Sequence, residues 1–261
     1  VSQRDGTSWL TSAGGDIAIN ATGVTKKFTS IVHEPGFGNA LRSFFAPRRQ
    51  AVTAVDDLSF TVRRGELVAL LGPNGAGKST TIKMLAGIVV PTAGTVEVCG
   101  RIPCRDREGN ARNVGAVFGQ RTQLWWDLPA RDSFAILRDM FGVGRDAYHR
   151  QLRELDDLLG LSEFWATRTR NLSLGQRVRC DLAAALLHDP SVLILDEPTI
   201  GMDVLVKEQV RDFLLHHVNR RGRTVLLTTH DMTEVDRLSE RVVLINHGRL
   251  VFDGPLERLR G

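Results

Sequence analysis

The sequence contains no run of 18 or more apolar residues, so no stretch of it is a candidate transmembrane helix. Cysteine is scarce: Cys99, Cys104 and Cys180 are odd in number and lack metal-ligand spacing, which argues against a disulfide framework or a zinc module. Aromatics make up only 6% of the chain and do not interleave with the arginine pairs Arg48/Arg49, Arg63/Arg64 and Arg220/Arg221. Those pairs therefore read mainly as solvated surface, and no nucleic-acid partner is expected. Neither sign of charge dominates, the net value being +4. No basic-then-apolar signal segment opens the chain, so it is expected to stay in the cytosol and to reach a membrane only through a partner. There is no internal repeat and no low-complexity tract.

What is present is ordinary globular material: 261 residues, 42% hydrophobic and 25% charged, enough for one large domain or a core with a smaller appendage. Residues 1–15 are polar and rich in Gly, Ser and Thr, and read as a loose arm. Strand patterns run from Ile17 to Phe28 and from Ala54 to Val62, with an insertion between them. The second half of that insertion, Leu41 to Arg49, is basic and amphipathic; it suits a membrane surface, a partner helix or a packed excursion on a β-hairpin.

The densest local signal is Gly72-Pro73-Asn74-Gly75-Ala76-Gly77-Lys78-Ser79, which fits G-x-x-x-x-G-K-[ST]. An apolar run, Glu66 to Leu71, precedes it, and a helical pattern with Ile82, Leu85 and Ala86 on one face follows until Gly87. Strand, glycine loop and helix in that order aim backbone N–H groups and a helix N-terminus at one point, where a polyphosphate is stabilised. Lys78 would reach the β- and γ-phosphates, and Ser79 would ligate Mg²⁺.

Two further buried-strand patterns, Ser191 to Asp196 and Thr224 to Thr229, suit a parallel sheet covered on both faces. Each ends on polar residues, at the sheet edge where open α/β folds bind ligands. Asp196 would hold Mg²⁺ through water, Glu197 would act as general base, and His230 would meet the γ-phosphate. Between the halves, helical character runs from Arg121 to Asn171, clearest at Gln151 to Gly160. Arg241–Ile245 and Arg249–Phe252 flank Asn246-His247-Gly248 as a hairpin. Ser173 and Gln176 have the spacing of a capping box ahead of an apolar helix. That segment reads either as a well-capped helix or as a second phosphate site serving another chain's nucleotide.

These motifs, in this order, resemble the ATP-binding cassette (ABC) ATPases, the nucleotide-binding subunits of ABC transporters. Gly72 to Thr80 is similar to Walker A, Gln120 to the Q-loop glutamine, and Leu172 to Gln176 to the family signature. Val192 to Glu197 is similar to Walker B with its catalytic glutamate, Asp203 to the D-loop, and His230 to the switch histidine. The resemblance implies an α/β fold: a P-loop core with a mostly parallel sheet, an antiparallel β subdomain and an inserted helical subdomain. Residues 16–256 would form the ATPase domain, with 16–120 and 176–256 as core and 121–175 as the helical part.

The same resemblance implies ATP and Mg²⁺ as ligands. Ser79, Gln120 and Asp196 would attend the metal. Ser173, Gly175, Gln176 and Asp203 would complete the pocket of a second cassette in a head-to-tail dimer, for which a homodimer suffices. Phe28 would stack on adenine, provided that Ile31 to Gln50 is an insertion. Integral membrane subunits would hold the chain at the cytoplasmic face of the membrane. The signature departs from the family in carrying Leu174 where glycine is usual. The run Phe118 to Pro129, with Trp125 and Trp126, together with Leu172 to Arg177 and Pro198 to Asp203, resembles ATPases of ABC-2 type exporters of drugs and other amphipathic compounds. The two tryptophans would be docking anchors for a membrane partner, or else part of the helical core. A non-transport ABC ATPase acting on nucleic acid or a soluble assembly is the alternative reading.

Overall fold

A computed structural model of the chain describes residues 17–31, 49–119 and 121–260. The arm at residues 1–15, Gln120 and nearly all of the insertion lie outside the described residues. Two sheets carry the fold. The smaller has the order β2-β1-β4, with β1 (Ile17–Ile31) antiparallel to both β2 (Arg49–Arg63) and β4 (Ala93–Val98). The larger runs β5-β6-β7-β3-β8-β9. Its strands β5 (Val114–Phe118), β6 (Val192–Asp196), β7 (Thr224–Thr229), β3 (Leu67–Leu71) and β8 (Arg241–Asn246) are parallel, and β9 (Arg249–Pro255) pairs antiparallel with β8. The fold is thus α/β with a mostly parallel main sheet and an antiparallel second sheet.

Every residue of β3 and β7 is buried, which is why those segments are continuous apolar runs. One hydrophobic cluster fills the space between the two sheets, from Ile19 and Leu58 across Val68 and Leu70 to Ile82. A second lies on the opposite face of the main sheet and continues into the helical region.

The helices are α1 (Lys78–Leu85), α2 (Arg107–Asn113), α3 (Ala130–Phe141), α4 (Arg145–Leu159), α5 (Leu174–Leu186), α6 (Val204–Arg221), α7 (Met232–Leu238) and α8 (Leu256–Arg260). In α4, Leu155 and Leu159 are fully buried, each worth about 1.5–3 kcal/mol of transfer free energy. Gly160 closes the helix in the left-handed region at φ 59°. Helix does not begin at Arg121 as the sequence pattern suggests. Pro129, with ψ 146°, caps α3, and residues 121–129 instead form an irregular segment tied to α5. Strands β1 and β2 also reach further than their sequence patterns, pairing out to Ile31↔Arg49, so the insertion joins the two arms of one hairpin.

The β8–β9 turn places both central residues at positive φ, His247 at 47° and Gly248 at 77°. Gly248 donates its N–H to the Ala76 carbonyl at 2.9 Å and accepts from Asp56 N–H at 2.9 Å, so the turn buttresses the glycine loop. Arg241 knits the layers together: its guanidinium reaches Glu66 at 2.9 Å, Asp253 at 2.9 Å and the Thr61 carbonyl at 3.0 Å.

Candidate functional site

The loop between β3 and α1 is shaped by glycines that no other residue could replace without rearrangement. A Cβ on Gly72 would stand 2.3 Å from the Ile245 carbonyl oxygen, and one on Gly77 would stand 2.5 Å from that of Ala54. Gly77 caps α1 at φ 103°, a conformation side chains avoid. Lys78, 5% exposed, donates its ammonium to the carbonyls of Gly72 at 2.7 Å and Pro73 at 3.2 Å. Its Nζ lies 3.5 Å from Glu197 Oε1.

Parallel register brings the rest of the site to the same edge. Asp196 ends β6 beside Thr228 of β7, and its Oδ1 accepts from Ser79 Oγ at 3.0 Å and Thr228 Oγ1 at 2.7 Å. Glu197 follows at φ 51°, held there by its N–H, which donates to the Thr228 hydroxyl at 3.0 Å. That conformation is uncommon outside glycine and marks a constrained position. His230 Nδ1 lies 3.2 Å from Glu197 Oε1, so one carboxylate oxygen sits between an ammonium and an imidazole. Gly119 packs so close that an added Cβ would be 2.6 Å from the Asp196 carbonyl.

A cleft of about 790 Å³ opens over the glycine loop, lined by residues 74–80 together with Gly119, Asp196 and Glu197; His230 reaches it only through its contact with Glu197. Phe28 stands outside this lining on β1, 43% exposed, with the Lys26 ammonium 5.0 Å from its ring centre. Ser173, Gly175 and Gln176 do not line the cleft either. They form the start of α5, where Ser173 and Gln176 satisfy one another as a full capping box at 3.2 and 2.9 Å. Leu174 is half-buried against the core, and Gly201 packs close to its Cδ2. It therefore lies along the segment before α6 rather than across the mouth of α5. Gly175 packs against Val206, and Asp203 caps α6 by accepting from Val206 N–H at 3.0 Å.

Thr228 and Gly119 were not singled out by sequence reasoning. A clue to Thr228 is the polar Thr228-Thr229-His230 ending of an otherwise apolar strand; Gly119 has no local signal beyond being glycine.

The constellation just described is accompanied by a match to a known family. The sequence profile described as "ABC transporter" covers residues 55–200, more than half of the chain. The chain belongs to the ABC transporter ATP-binding family.

Among the relatives of this cassette, the ABC transporter ATP-binding protein NatA of Bacillus subtilis is 31% identical over 215 residues, covering 82% of this chain and 87% of that protein. The Nod factor export ATP-binding protein I of Burkholderia lata is 41% identical over 204 residues, 77% of this chain. The probable multidrug ABC transporter ATP-binding protein YbhF of Escherichia coli is 36% identical over 209 residues, 79% of this chain. The matched region spans 65% of the Nod factor protein and 35% of YbhF. Among solved structures, an ATP-binding subunit of an ABC transporter superposes with a TM-score of 0.76 at 25% identity, covering 93% of this chain and 92% of its own. A dimeric post-hydrolysis state of the cassette MJ0796 with ADP and Pi shares the fold, with a TM-score of 0.75 at 22% identity over 91% of this chain and 98% of its own. The cassette is an ATP-binding subunit and an ATP hydrolase of this family.

Proposed function

We propose that the cassette energises an exporter, binding ATP between two copies of itself and hydrolysing it to drive separate membrane subunits from their cytoplasmic face. The observation that carries this is Glu197 Oε1, suspended between Lys78 Nζ and His230 Nδ1 at the mouth of the glycine loop. In this reading Glu197 takes the proton of the attacking water, and His230 holds that carboxylate and contacts the γ-phosphate. Lys78 and the loop N–H groups of residues 75–79 neutralise the β- and γ-phosphates. Phe28 offers the exposed ring for adenine.

The Ser79 hydroxyl and the Asp196 carboxylate, 3.0 Å apart at the loop, are hard oxygen donors that suit Mg²⁺. Among the described residues no cluster of three His, Cys, Asp or Glu is placed to hold a metal by itself. Bound there, Mg²⁺ would offset charge on the β- and γ-phosphates; Gln120 would attend it from the segment after β5.

A dimer is supported by the divided arrangement of the motifs. Ser173, Gly175 and Gln176 present a capped helix start away from their own cleft, as required if they close a neighbour's. Flanking Asp203 along the chain, the apolar side chains of Ile200, Val204 and Leu205 are exposed, Leu205 at 76%. Such a group suits burial against a second copy. Export is supported by the names of the Nod factor and multidrug relatives. Trp126, 51% exposed, and Trp125 beside it are proposed as docking anchors for the membrane partner. Among the described residues no helix is long and apolar enough to cross a membrane.

The test is a pair of variants. Glu197→Gln should bind ATP with parental affinity, accumulate a dimer on size-exclusion chromatography and lose at least about a hundredfold in turnover, the scale of general-base loss. Lys78→Ala should lose ATP binding itself. Parental turnover in the first variant removes Glu197 from the catalytic role.

A further inference from the structure

The ladder between β6 and β7 ends at Asp196↔Thr228, and beyond it the two strand exits part into separate loops. One carries Glu197 and Thr199; on the other side Thr229 is the last residue of β7, still paired with Leu71 of β3, and His230 opens the loop. Besides the Glu197 N–H bond to Thr228, two links between side chains join the exit of β6 to the end of β7 and the residue after it among the described residues. The first is the Glu197–His230 contact itself. The second runs through Glu234, in the first turn of α7.

Glu234 Oε1 accepts from the Thr199 hydroxyl, and Oε2 accepts from the Thr229 hydroxyl at 2.8 Å. Lys207 Nζ of α6 lies 3.4 Å from Oε1, and the Glu234 side chain is only 14% exposed. Both threonines are buried, so each hydroxyl depends on a protein partner. One half-buried carboxylate therefore collects donors from three elements: the exit of β6, the end of β7 and the first turn of α6. The Thr229 oxygen also accepts from Asp231 N–H at 3.0 Å, which fixes the backbone on the far side of His230.

We propose that Glu234 is a positioning residue for ATP hydrolysis: by clamping Thr199 and Thr229 it sets the separation of the Glu197 carboxylate and the His230 imidazole. It touches neither group. The proposal rests on the reading of Glu197 and His230 as the catalytic pair, and it extends that reading to a residue behind the site. Glutamine at this position keeps much of the clamp, because its carbonyl accepts from one threonine and its amide donates to the other. Alanine removes the clamp altogether.

Steady-state hydrolysis by the full chain, with affinity for a fluorescent ATP analogue, reads the effect. Glu234→Ala should lower kcat roughly tenfold or more, as misplacing a reacting group does, with KM and analogue affinity unchanged. Glu234→Gln should recover most of the loss. Combined with His230→Ala, Glu234→Ala should cost nothing further, since it acts through that imidazole. Independently of turnover, the His230 resonance, assigned by its disappearance in His230→Ala, should move in Glu234→Ala. Parental kcat in Glu234→Ala, an unmoved resonance, or a loss that merely follows the fraction of unfolded protein overturns the proposal. Should His230→Ala and Glu197→Gln both keep parental turnover, the catalytic-pair reading fails instead. The Glu234 link is then judged by the resonance alone, moved if the clamp exists and fixed if it does not.

Discussion

Replacing Asp181 by asparagine is expected to stabilise the protein, by an amount that grows with pH. Asp181 lies on α5, 4% exposed, and its Oδ1 accepts from the Thr122 hydroxyl at 2.8 Å and the Gln123 N–H at 3.1 Å. Burial outweighs those bonds and pushes the carboxyl up from 3.8 to about 6. A carboxyl raised on folding holds its proton more tightly in the native state. Its contribution is therefore most favourable in acid and is lost as pH rises from about 4 through about 6. At 1.36 kcal/mol per unit, that loss is about 3 kcal/mol at pH 7.5 and about half as much at pH 5.

Asparagine offers the same oxygen to both donors and carries no charge, so the variant escapes the loss. His188 and His217 act in the opposite sense. Burial pushes both imidazoles down from 6.5 to about 4, so their share of stability is present above 6.5 and lost as pH falls toward 4. Those contributions are common to both proteins and cancel in the difference. Urea denaturation of parent and Asp181→Asn, followed by tryptophan fluorescence at pH 5 and 7.5, measures it. The gain should be about 3 kcal/mol at the higher pH and about half that at the lower. A gain that does not vary with pH, or a loss at pH 7.5, would refute the reasoning.

Phe28→Ala should raise KM for ATP roughly tenfold with little change in kcat, since stacking on a base is worth about 1–3 kcal/mol; unchanged KM would detach Phe28 from adenine. Arg241→Ala should destabilise the fold by about 3–5 kcal/mol, because it leaves the Glu66 and Asp253 carboxylates without their shared cation. Its denaturation midpoint would drop while ATP affinity of the folded protein held; a drop under about 1 kcal/mol would mean solvent already screens the trio.

Much of the architecture could be read in advance where a residue's job is local. The glycine loop, the apolar strands ending at Asp196 and Thr229, the capping box at Ser173 and the hairpin at Asn246-His247-Gly248 each declare themselves over a few neighbouring positions. Helix α2 gives no signal because its seven residues include no large apolar side chain and only Asn110 is buried, so no apolar periodicity exists to detect. The irregular 121–129 segment was misjudged as helical for a related reason: what holds it is Asp181, far along the chain. Thr228 carries no such signal because parallel register pairs it with Asp196, far back in the chain, and Glu234 because Thr199 and Lys207 reach it from distant elements. Leu174 stands out as a departure from the family when read as text, yet it packs sideways against Gly201 and the core.

The turn at Gly248 has a consequence for the order in which the molecule matures. The glycine loop at 72–79 precedes by about 170 residues the partners that brace it, Gly248 against Ala76 and the Ile245 carbonyl against Gly72. A nascent chain thus carries the letters of a triphosphate cradle long before it owns one. On the proposed reading, competence to grip nucleotide would arrive only when the β8–β9 hairpin closes, and a chain cut short ahead of β8 would display the motif without its shape.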